Sequence, residues 1–183
     1  MDLIPAQGRA VLALIQEHAP LAYLAGGALR DAWFGRPIKD LDFFVPYMEG
    51  HNAIHSALLD AGYTNTVVAA MQYFADDPTV ADARLYEQPG QLPVNVIRLR
   101  VFQPCREALN RFDLGFCQIG FDGRNVHTTN AFAIDEADLT MTLTRCESPA
   151  QFERTEARAE RLREKYREWL FVVPDKFKQV ALA

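Results

Sequence analysis

Apolar residues in the first 70 positions of the chain follow two different periods. Where they recur every three or four residues, as Val11, Leu14 and Ile15 do, one face of a helix is indicated. Short apolar runs bounded by glycine, proline or polar residues indicate buried strands instead. The pattern predicts helices over 3–18, 28–34 and 50–62, and strands over 21–25, 40–45 and 64–71.

The mixed pattern continues after a polar interval. Residues 74–91 contain two prolines and several acidic residues, so we expect a long loop or a mobile insertion there. Beyond it the pattern predicts strands over 92–101 and 139–145, a short helix over 104–112, and a hairpin of 114–121 and 125–134 that turns at Asp122-Gly123.

The C-terminal segment changes character and is dominated by charge. Residues 148–170 predict a helix, with Ser148 as its N-cap and Pro149 in its first position. Leu162, Tyr166 and Trp169 mark its packing face. Acidic residues interleave with the basic ones, which favours a solvated, ion-paired helix over an RNA-binding face. The basic residues are Arg154, Arg158, Arg161, Arg163, Lys165 and Arg167.

The order of elements indicates one mixed α/β domain of the α+β type. We predict a core over residues 1–146, with the charged helix and tail of residues 147–183 packed on it. The length of 183 residues suits one sizeable domain, or one domain plus an appendage.

Charge and cysteine content exclude several classes of protein. A formal net charge of −5 gives no overall attraction to nucleic acid or to an anionic membrane. The N-terminus lacks the basic start of a signal peptide, and no window approaches the roughly 18 apolar residues of a membrane span. Cys105, Cys117 and Cys146 lack metal-type spacing. We therefore expect reduced thiols, a cytoplasmic protein and no membrane partner.

Two carboxylates interrupt the strand predicted over 40–45. Asp40 and Asp42 are two residues apart, so they project from the same face of the strand while Leu41 enters the core. Adjacent carboxylates repel each other unless a cation lies between them. Mg²⁺ prefers hard oxygen ligands and is usually held by one or two carboxylates plus substrate phosphates. The pair therefore predicts a site for Mg²⁺ or Mn²⁺.

Gly26-Gly27 opens the helix that precedes this strand. Small residues let a phosphate approach the backbone, where the free N–H groups at a helix start attract it. A phosphate seat followed by a metal-binding aspartate pair is the arrangement that nucleotidyl transfer requires, because the metal neutralises and orients the triphosphate.

The sequence GGALRDAWFGRPIKDLD closely resembles a known signature. It fits G-G-x-x-R-D-x-x-x-G-x-x-x-x-D-x-D, which belongs to the tRNA CCA-adding enzyme and bacterial poly(A) polymerase branch of the DNA polymerase β-like nucleotidyltransferase superfamily. Arg36 and Lys39 also match common choices. The seven matching positions are Gly26, Gly27, Arg30, Asp31, Gly35, Asp40 and Asp42.

A fainter similarity follows later in the chain. RFDLGFCQIGFDGRNV is similar to the family segment R-R-D-F-T-I-N-A-L, with Arg111 and Asp113 at the Arg and the Asp. Small phage-type nucleotidyltransferase-like proteins also carry an F-D-L segment of this kind. The two similar segments span about residues 20–145.

The resemblance implies a nucleotidyltransferase fold, with a central mixed sheet flanked by helices and a C-terminal helix. It implies an enzyme that moves a nucleoside monophosphate from an NTP, ATP or CTP above all, to an RNA 3′ end, a protein side chain or a small molecule. Asp40 and Asp42 would hold the metal. Gly26, Gly27, Arg30 and Lys39 would bind the nucleotide, and Asp113 would be a further catalytic residue.

One position departs from the family. The superfamily usually supplies a third carboxylate from a later central strand, and the matching position in PVNVIRL is Asn95. Either Asp113 helps instead, or two carboxylates suffice, or catalysis is weak or lost. The alternatives are therefore an inactive nucleotide- or protein-binding module on the same fold, and a toxin-like transferase that modifies tRNA or protein, in the host cytoplasm if the protein is viral.

Several other polar residues have a simpler structural interpretation. His51 and His55 lie four residues apart, as a metal pair would, but exposed polar positions on a helix are favoured because no carboxylate signature accompanies them. We expect His127 to be structural. The three cysteines are expected in or near the core.

Overall fold

A computed structural model describes residues 3–66 and 78–181 of the chain. The helices are α1 (Ala6–Gln16), α2 (Gly27–Trp33), α3 (His51–Asp60), α4 (Cys105–Ala108), α5 (Asn130–Asp138), α6 (Pro149–Arg163) and α7 (Asp175–Ala181). The strands are β1 (Tyr23–Ala25), β2 (Leu41–Pro46), β3 (Thr64–Thr66), β4 (Val80–Glu87), β5 (Val94–Leu99), β6 (Ile119–Phe121), β7 (Val126–Thr128), β8 (Thr140–Thr142) and β9 (Leu170–Val172). Single 3₁₀ turns cover Leu109–Arg111 and Gly115–Cys117.

Seven of these strands form one mixed sheet in the order β3-β4-β5-β2-β1-β6-β7. The central strand β2 runs parallel to β5 and antiparallel to β1. Leu41, Phe43 and Val45 alternate along β2 and are fully buried. This apolar row belongs to the face of the sheet opposite Asp42, because successive side chains in a strand point to opposite faces.

Helices α1 and α3 contact each other, and α1 packs on the apolar face of the sheet. The buried stripe of α1 is Gly8, Val11, Leu12 and Ile15, which repeats with helical spacing. A Cβ on Gly8 would lie 3.1 Å from Leu24 of β1, so glycine permits close packing there. The face of the sheet that carries Asp42 is therefore not the one on which α1 packs.

The chain divides into two compact units. The first comprises Met1–Cys105 and Gly120–His127 and carries the large sheet, and the second comprises Arg106–Ile119 and Thr128–Ala183. In the second unit, β8 pairs in parallel with β9, and the Phe116 ring lies 5.5 Å from that of Tyr166 and 5.3 Å from that of Trp169. Division into residues 1–146 and 147–183 was argued from composition and stays a prediction.

The mixed α/β class predicted from the sequence is confirmed. The loop predicted over 74–91 is wrong in part, because residues 80–87 form β4; residues 67–77 lie outside the described part, as does the end of the strand predicted over 64–71. The Asp82 carboxylate of β4 is paired across the sheet, since Arg98 of β5 makes a bidentate ion pair with it. Tyr86 is 1% exposed.

Two further predictions of secondary structure need correction. The second hairpin strand ends at Thr128, and residues 130–138 form helix α5. The Thr129 side chain caps this helix by accepting a hydrogen bond from the Phe132 N–H. The C-terminal helix begins at Pro149 with the Ser148 cap as predicted, but it ends at Arg163, and residues 170–172 pair with β8 instead.

Candidate active site

Asp42 and Asn95 lie side by side on the two central strands. The parallel register of β2 and β5 places them directly opposite each other, and Asn95 Nδ2 donates a hydrogen bond of 2.8 Å to Asp42 Oδ1. The strand predicted over 92–101 therefore lies beside the strand predicted over 40–45. Both side chains are half-buried on one face of the sheet, with Val94 and Val96 buried on the other.

Asp40 directly precedes β2 and is also half-buried. Pairing with the neighbouring segment begins one residue later, where the Leu41 N–H donates to the Pro93 carbonyl at 2.9 Å. The alternation of side chains places Asp40 on the Asp42 face of the strand. Two carboxylates and one amide therefore gather at the N-terminal ends of β2 and β5.

The glycine pair lies at the same edge of the sheet. Because β1 and β2 are antiparallel with Leu24 opposite Phe43, the C-terminal end of β1 meets the N-terminal end of β2. Gly26 follows β1 with φ +83° and ψ −128°, a conformation that only glycine adopts without strain. Among the described residues, no heavy atom beyond its chain neighbours lies within 4 Å of the position of a Cβ on Gly26. Gly26 itself is buried and Gly27 is half-buried, so a ligand would reach this turn at Gly27.

Arg30 and Asp31 form a buried ion pair. Arg30 Nε and Nη2 both lie within hydrogen-bond distance of Asp31 Oδ1, at 2.8 and 2.6 Å, and the two residues are 6% and 2% exposed. A Cβ on Gly27 would lie 3.7 Å from Arg30 Nη2. Arg30 therefore lies behind the glycine turn and braces it. Burial excludes an ion pair on the protein surface.

The remaining nucleotide-binding and catalytic candidates are Lys39 and Asp113. Lys39 is exposed just before the aspartate pair. Asp113 belongs to the second unit, where it accepts hydrogen bonds of 2.7 Å from Thr155 Oγ1 and 2.8 Å from Arg158 Nη1. These contacts fasten the FDL segment to α6. In its own unit, Asp113 therefore has a structural role.

The carboxylate pair suits a divalent metal of the Mg²⁺ or Mn²⁺ type. Its donors are hard oxygens at a half-exposed edge, where substrate oxygens and water can complete the coordination. Over residues 3–66 and 78–181, no group of three or more His, Cys, Asp or Glu side chains is placed to hold a metal. Mg²⁺ does not need such a cage, since one or two carboxylates plus phosphates usually suffice.

The histidines and cysteines take no part in this site. His127 Nε2 lies 2.7 Å from Asp122 Oδ2, a structural contact within the hairpin. The three cysteines are buried. Burial raises the pKa of the Cys105 thiol to about 12, and the nearby Asp122 carboxylate contributes to the rise. This thiol is therefore no nucleophile at neutral pH.

His51 and His55 are half-buried, not exposed as predicted. His51 Nε2 lies 2.9 Å from Arg84 Nη2, and His55 Nδ1 lies 3.1 Å from the Tyr86 hydroxyl. The sequence did not predict this group, because Arg84 and Tyr86 fall in the segment predicted as a loop. The signal for a strand was the alternation of the small or apolar Ala81, Ala83 and Leu85 with Asp82, Arg84 and Tyr86.

No helix in the described part of the chain combines the length and the apolar character that a membrane crossing requires.

Several solved structures share the fold of this chain. An apo form of a tRNA-processing enzyme matches 97% of this chain and 46% of its own, with a TM-score of 0.62 and 17% identity. A CCA-adding enzyme from Thermotoga maritima in complex with tRNA matches 98% of this chain and 42% of its own length, with a TM-score of 0.62 and 12% identity. A complex of a CCA-adding enzyme with CTP matches 98% of this chain and 43% of its own length, with a TM-score of 0.64 and 11% identity.

This chain spans less than half the length of these three structures. No family model matches its sequence, and no curated protein sequence does. The similarity is therefore one of three-dimensional structure, and it agrees with the signature at residues 26–42. The chain has the nucleotidyltransferase fold of the tRNA CCA-adding enzymes.

Proposed function

We propose that this protein is a magnesium-dependent nucleotidyltransferase that moves a nucleoside monophosphate from an NTP to an acceptor and releases the β and γ phosphates as pyrophosphate. The observation that carries the proposal is the meeting of three features at one edge of the sheet. They are the aspartate pair of Asp40 and Asp42, the Gly26-Gly27 turn, which is half-buried at Gly27, and the Asn95 hydrogen bond that orients Asp42.

Each group has a distinct task in this proposal. Asp40 and Asp42 hold the metal, and the metal when bound neutralises the charge of the triphosphate. The backbone at Gly26 and Gly27 receives the β and γ phosphates. Arg30, itself buried against Asp31, keeps the glycine turn in place, while the exposed Lys39 contacts the nucleotide.

An RNA 3′ end is the acceptor that we favour, and ATP or CTP is the favoured nucleotide. Support comes from structures of the same fold that were solved with tRNA, with CTP, and with a primer tRNA and an ATP analog. The chain covers 42–48% of those proteins, so the acceptor of this chain is a proposal of its own. A protein acceptor is the second choice, as in a toxin-like transferase.

A catalytically inactive module that binds nucleotide or protein is the alternative function. It is favoured by Asn95, which supplies an amide where the superfamily usually has a third carboxylate, and which directs its Nδ2 toward Asp42. An amide adds no negative charge to the metal site, so metal affinity would be lower than with three carboxylates.

Label transfer distinguishes the two functions. The protein is incubated with each radiolabelled NTP, MgCl₂, and either total cellular RNA or total cellular protein. An active transferase labels one of the two pools with one preferred nucleotide, and the label disappears with Asp42→Asn. The matched control is Asp60→Asn, which removes an exposed carboxylate at the end of α3 and should leave transfer unchanged.

Calorimetry with the same NTPs, with and without MgCl₂, completes the test. NTP binding that MgCl₂ strengthens, without any label transfer, would favour the inactive module. Absence of NTP binding under both conditions would contradict the transferase and a nucleotide-binding module alike, and would leave a protein-binding module.

A further inference from the structure

A second polar pocket lies on the sheet face opposite Asp42. Its walls come from β4, β5 and the start of α3, and its cavity volume is about 10 Å³, with an opening to solvent. Val96 and Ile54 provide apolar surface, and the polar groups are His51, Asp82, Arg84, Tyr86 and Arg98. Arg98 and Asn95 are three residues apart on β5, so they point to opposite faces. The pocket is thus separate from the proposed nucleotide site.

One of its two arginines is already neutralised. Arg98 pairs with Asp82 through both Nε and Nη2, and these side chains are 12% and 23% exposed. The Arg98 guanidinium also lies 4.8 Å from the centre of the Tyr47 ring and 3.4 Å from the Tyr47 carbonyl oxygen. Asp82 is therefore engaged, and Arg98 is held as a fixed wall of the pocket.

The second arginine has only neutral partners. Arg84 Nη2 donates to His51 Nε2 over 2.9 Å, and the Tyr86 hydroxyl is engaged by His55. In residues 3–66 and 78–181 no carboxylate pairs with Arg84. A half-buried guanidinium normally has an anionic partner, because loss of hydration is costly without one.

His51 is not an anionic partner for Arg84. The hydrogen bond from Arg84 determines the protonation state of the imidazole. A guanidinium can only donate, so Nε2 must carry a lone pair and the imidazole is neutral. Burial, followed by the charges of Arg98 and Arg84, lowers the pKa of His51. Two arginines, one aspartate and a neutral histidine leave the pocket with one net positive charge. His51 also begins the ten-residue helix α3, whose N-terminal dipole favours an anion nearby.

We infer that this pocket binds a small oxyanion of the phosphate class. The planar fork of Arg84 suits two oxygens of one phosphate group, which would replace the imidazole nitrogen as the acceptor. Such a group could come from inorganic phosphate, from a nucleotide or from the backbone of RNA. The inference does not depend on the transferase activity, since it concerns the other face of the sheet.

The His51 imidazole provides a direct readout. Its NMR resonances are followed while sodium phosphate replaces sodium chloride at constant ionic strength and constant pH. Binding should give a saturable shift of the His51 signals. Arg84→Gln should weaken it by about tenfold or more, because a charge-assisted bidentate contact is lost. Arg124→Gln, on the exposed hairpin turn, is the matched control and should bind as the unmodified protein does.

Arg84→Lys keeps the charge but removes the fork, and it serves where Arg84→Gln does not fold. We expect weaker but measurable phosphate binding with this variant. Titrations with AMP and with a short single-stranded RNA identify the source, since the preferred one saturates the same shift at the lowest concentration. A linear shift with all three probes, or the same binding in the Arg84 variants as in the Arg124 control, would overturn the inference.

Discussion

Asn95 stands where a metal site of this fold usually has a carboxylate, and the structure gives it a specific contact. Its amide donates to Asp42 Oδ1 over 2.8 Å, which orients one of the two metal-binding candidates without adding charge. At the scale of single residues, the question is whether metal binding here depends on the charge of the side chain at position 95 or on the way it orients Asp42.

Asn95→Asp should destabilise the metal-free protein and increase its response to Mg²⁺. The change replaces a donor with a carboxylate that faces Asp42, and the repulsion costs about 1 kcal/mol. The melting temperature should fall without metal and rise on addition of MgCl₂ by more than it does for the unmodified protein. Differential scanning fluorimetry with MgCl₂ and with EDTA measures both effects.

The double variant Asp42→Asn/Asn95→Asp is the matched control. It restores one amide and one carboxylate in exchanged positions, so the metal-free melting temperature should return toward that of the unmodified protein. If Asn95→Asp alone leaves the metal-free stability unchanged, the side chains do not lie as close as described.

At the scale of elements, the turn between β1 and α2 depends on the backbone of one glycine. Gly26→Ala should lower the free energy of unfolding by about 1–3 kcal/mol, because φ +83° with ψ −128° is accessible essentially to glycine alone. Urea denaturation followed by circular dichroism measures this change.

Gly27→Ala adds a methyl group to the same turn without requiring the backbone conformation of Gly26, so it distinguishes backbone strain from steric crowding. Gly27 lies in the first turn of α2, where alanine is a better helix former, and its nearest neighbour is the Arg30 side chain. We expect the fold to keep its stability while NTP binding weakens. Equal destabilisation by both changes would show that the conformation of Gly26 is not the cause.

Strand β4 shows why an element can be missed. It lies in an interval with two prolines and several acidic residues, which is typical of a loop. In the sheet, however, Arg98 neutralises Asp82 and His55 reaches the buried Tyr86 hydroxyl. These partners come from β5 and α3, so no window of the local sequence contains them. Tertiary contacts therefore decided the structure of this segment.

At the scale of the whole molecule, His51 links stability to pH. Its pKa in the folded protein is lowered from 6.5, first by burial and then by Arg98 and Arg84, with a further lowering by His55 and an opposite effect from Asp82. The unfolded chain therefore binds more protons, and stability rises with pH over this interval. The contribution is complete above pH 6.5 and is lost as the pH falls through the folded pKa.

The melting temperature should accordingly fall between about pH 7 and pH 5 in a buffer without phosphate. His51→Gln keeps an acceptor for Arg84 but does not titrate, so its melting temperature should decrease less over the same range. Identical pH profiles of the two proteins would mean that His51 does not link protonation to folding.

The sequence by itself determined the mixed α/β class, the glycine turn and the positions of Asp40 and Asp42, since these depend on local periodicity and on short motifs. It also indicated the Ser148 cap, which needs only neighbouring residues. The tertiary structure alone decided that Asn95 bonds Asp42, that Arg30 is buried against Asp31, that Asp113 is fastened to α6, and that β4 is a strand. Each of these depends on strand register or on packing between distant segments, and sequence spacing carries no information about which distant groups will meet.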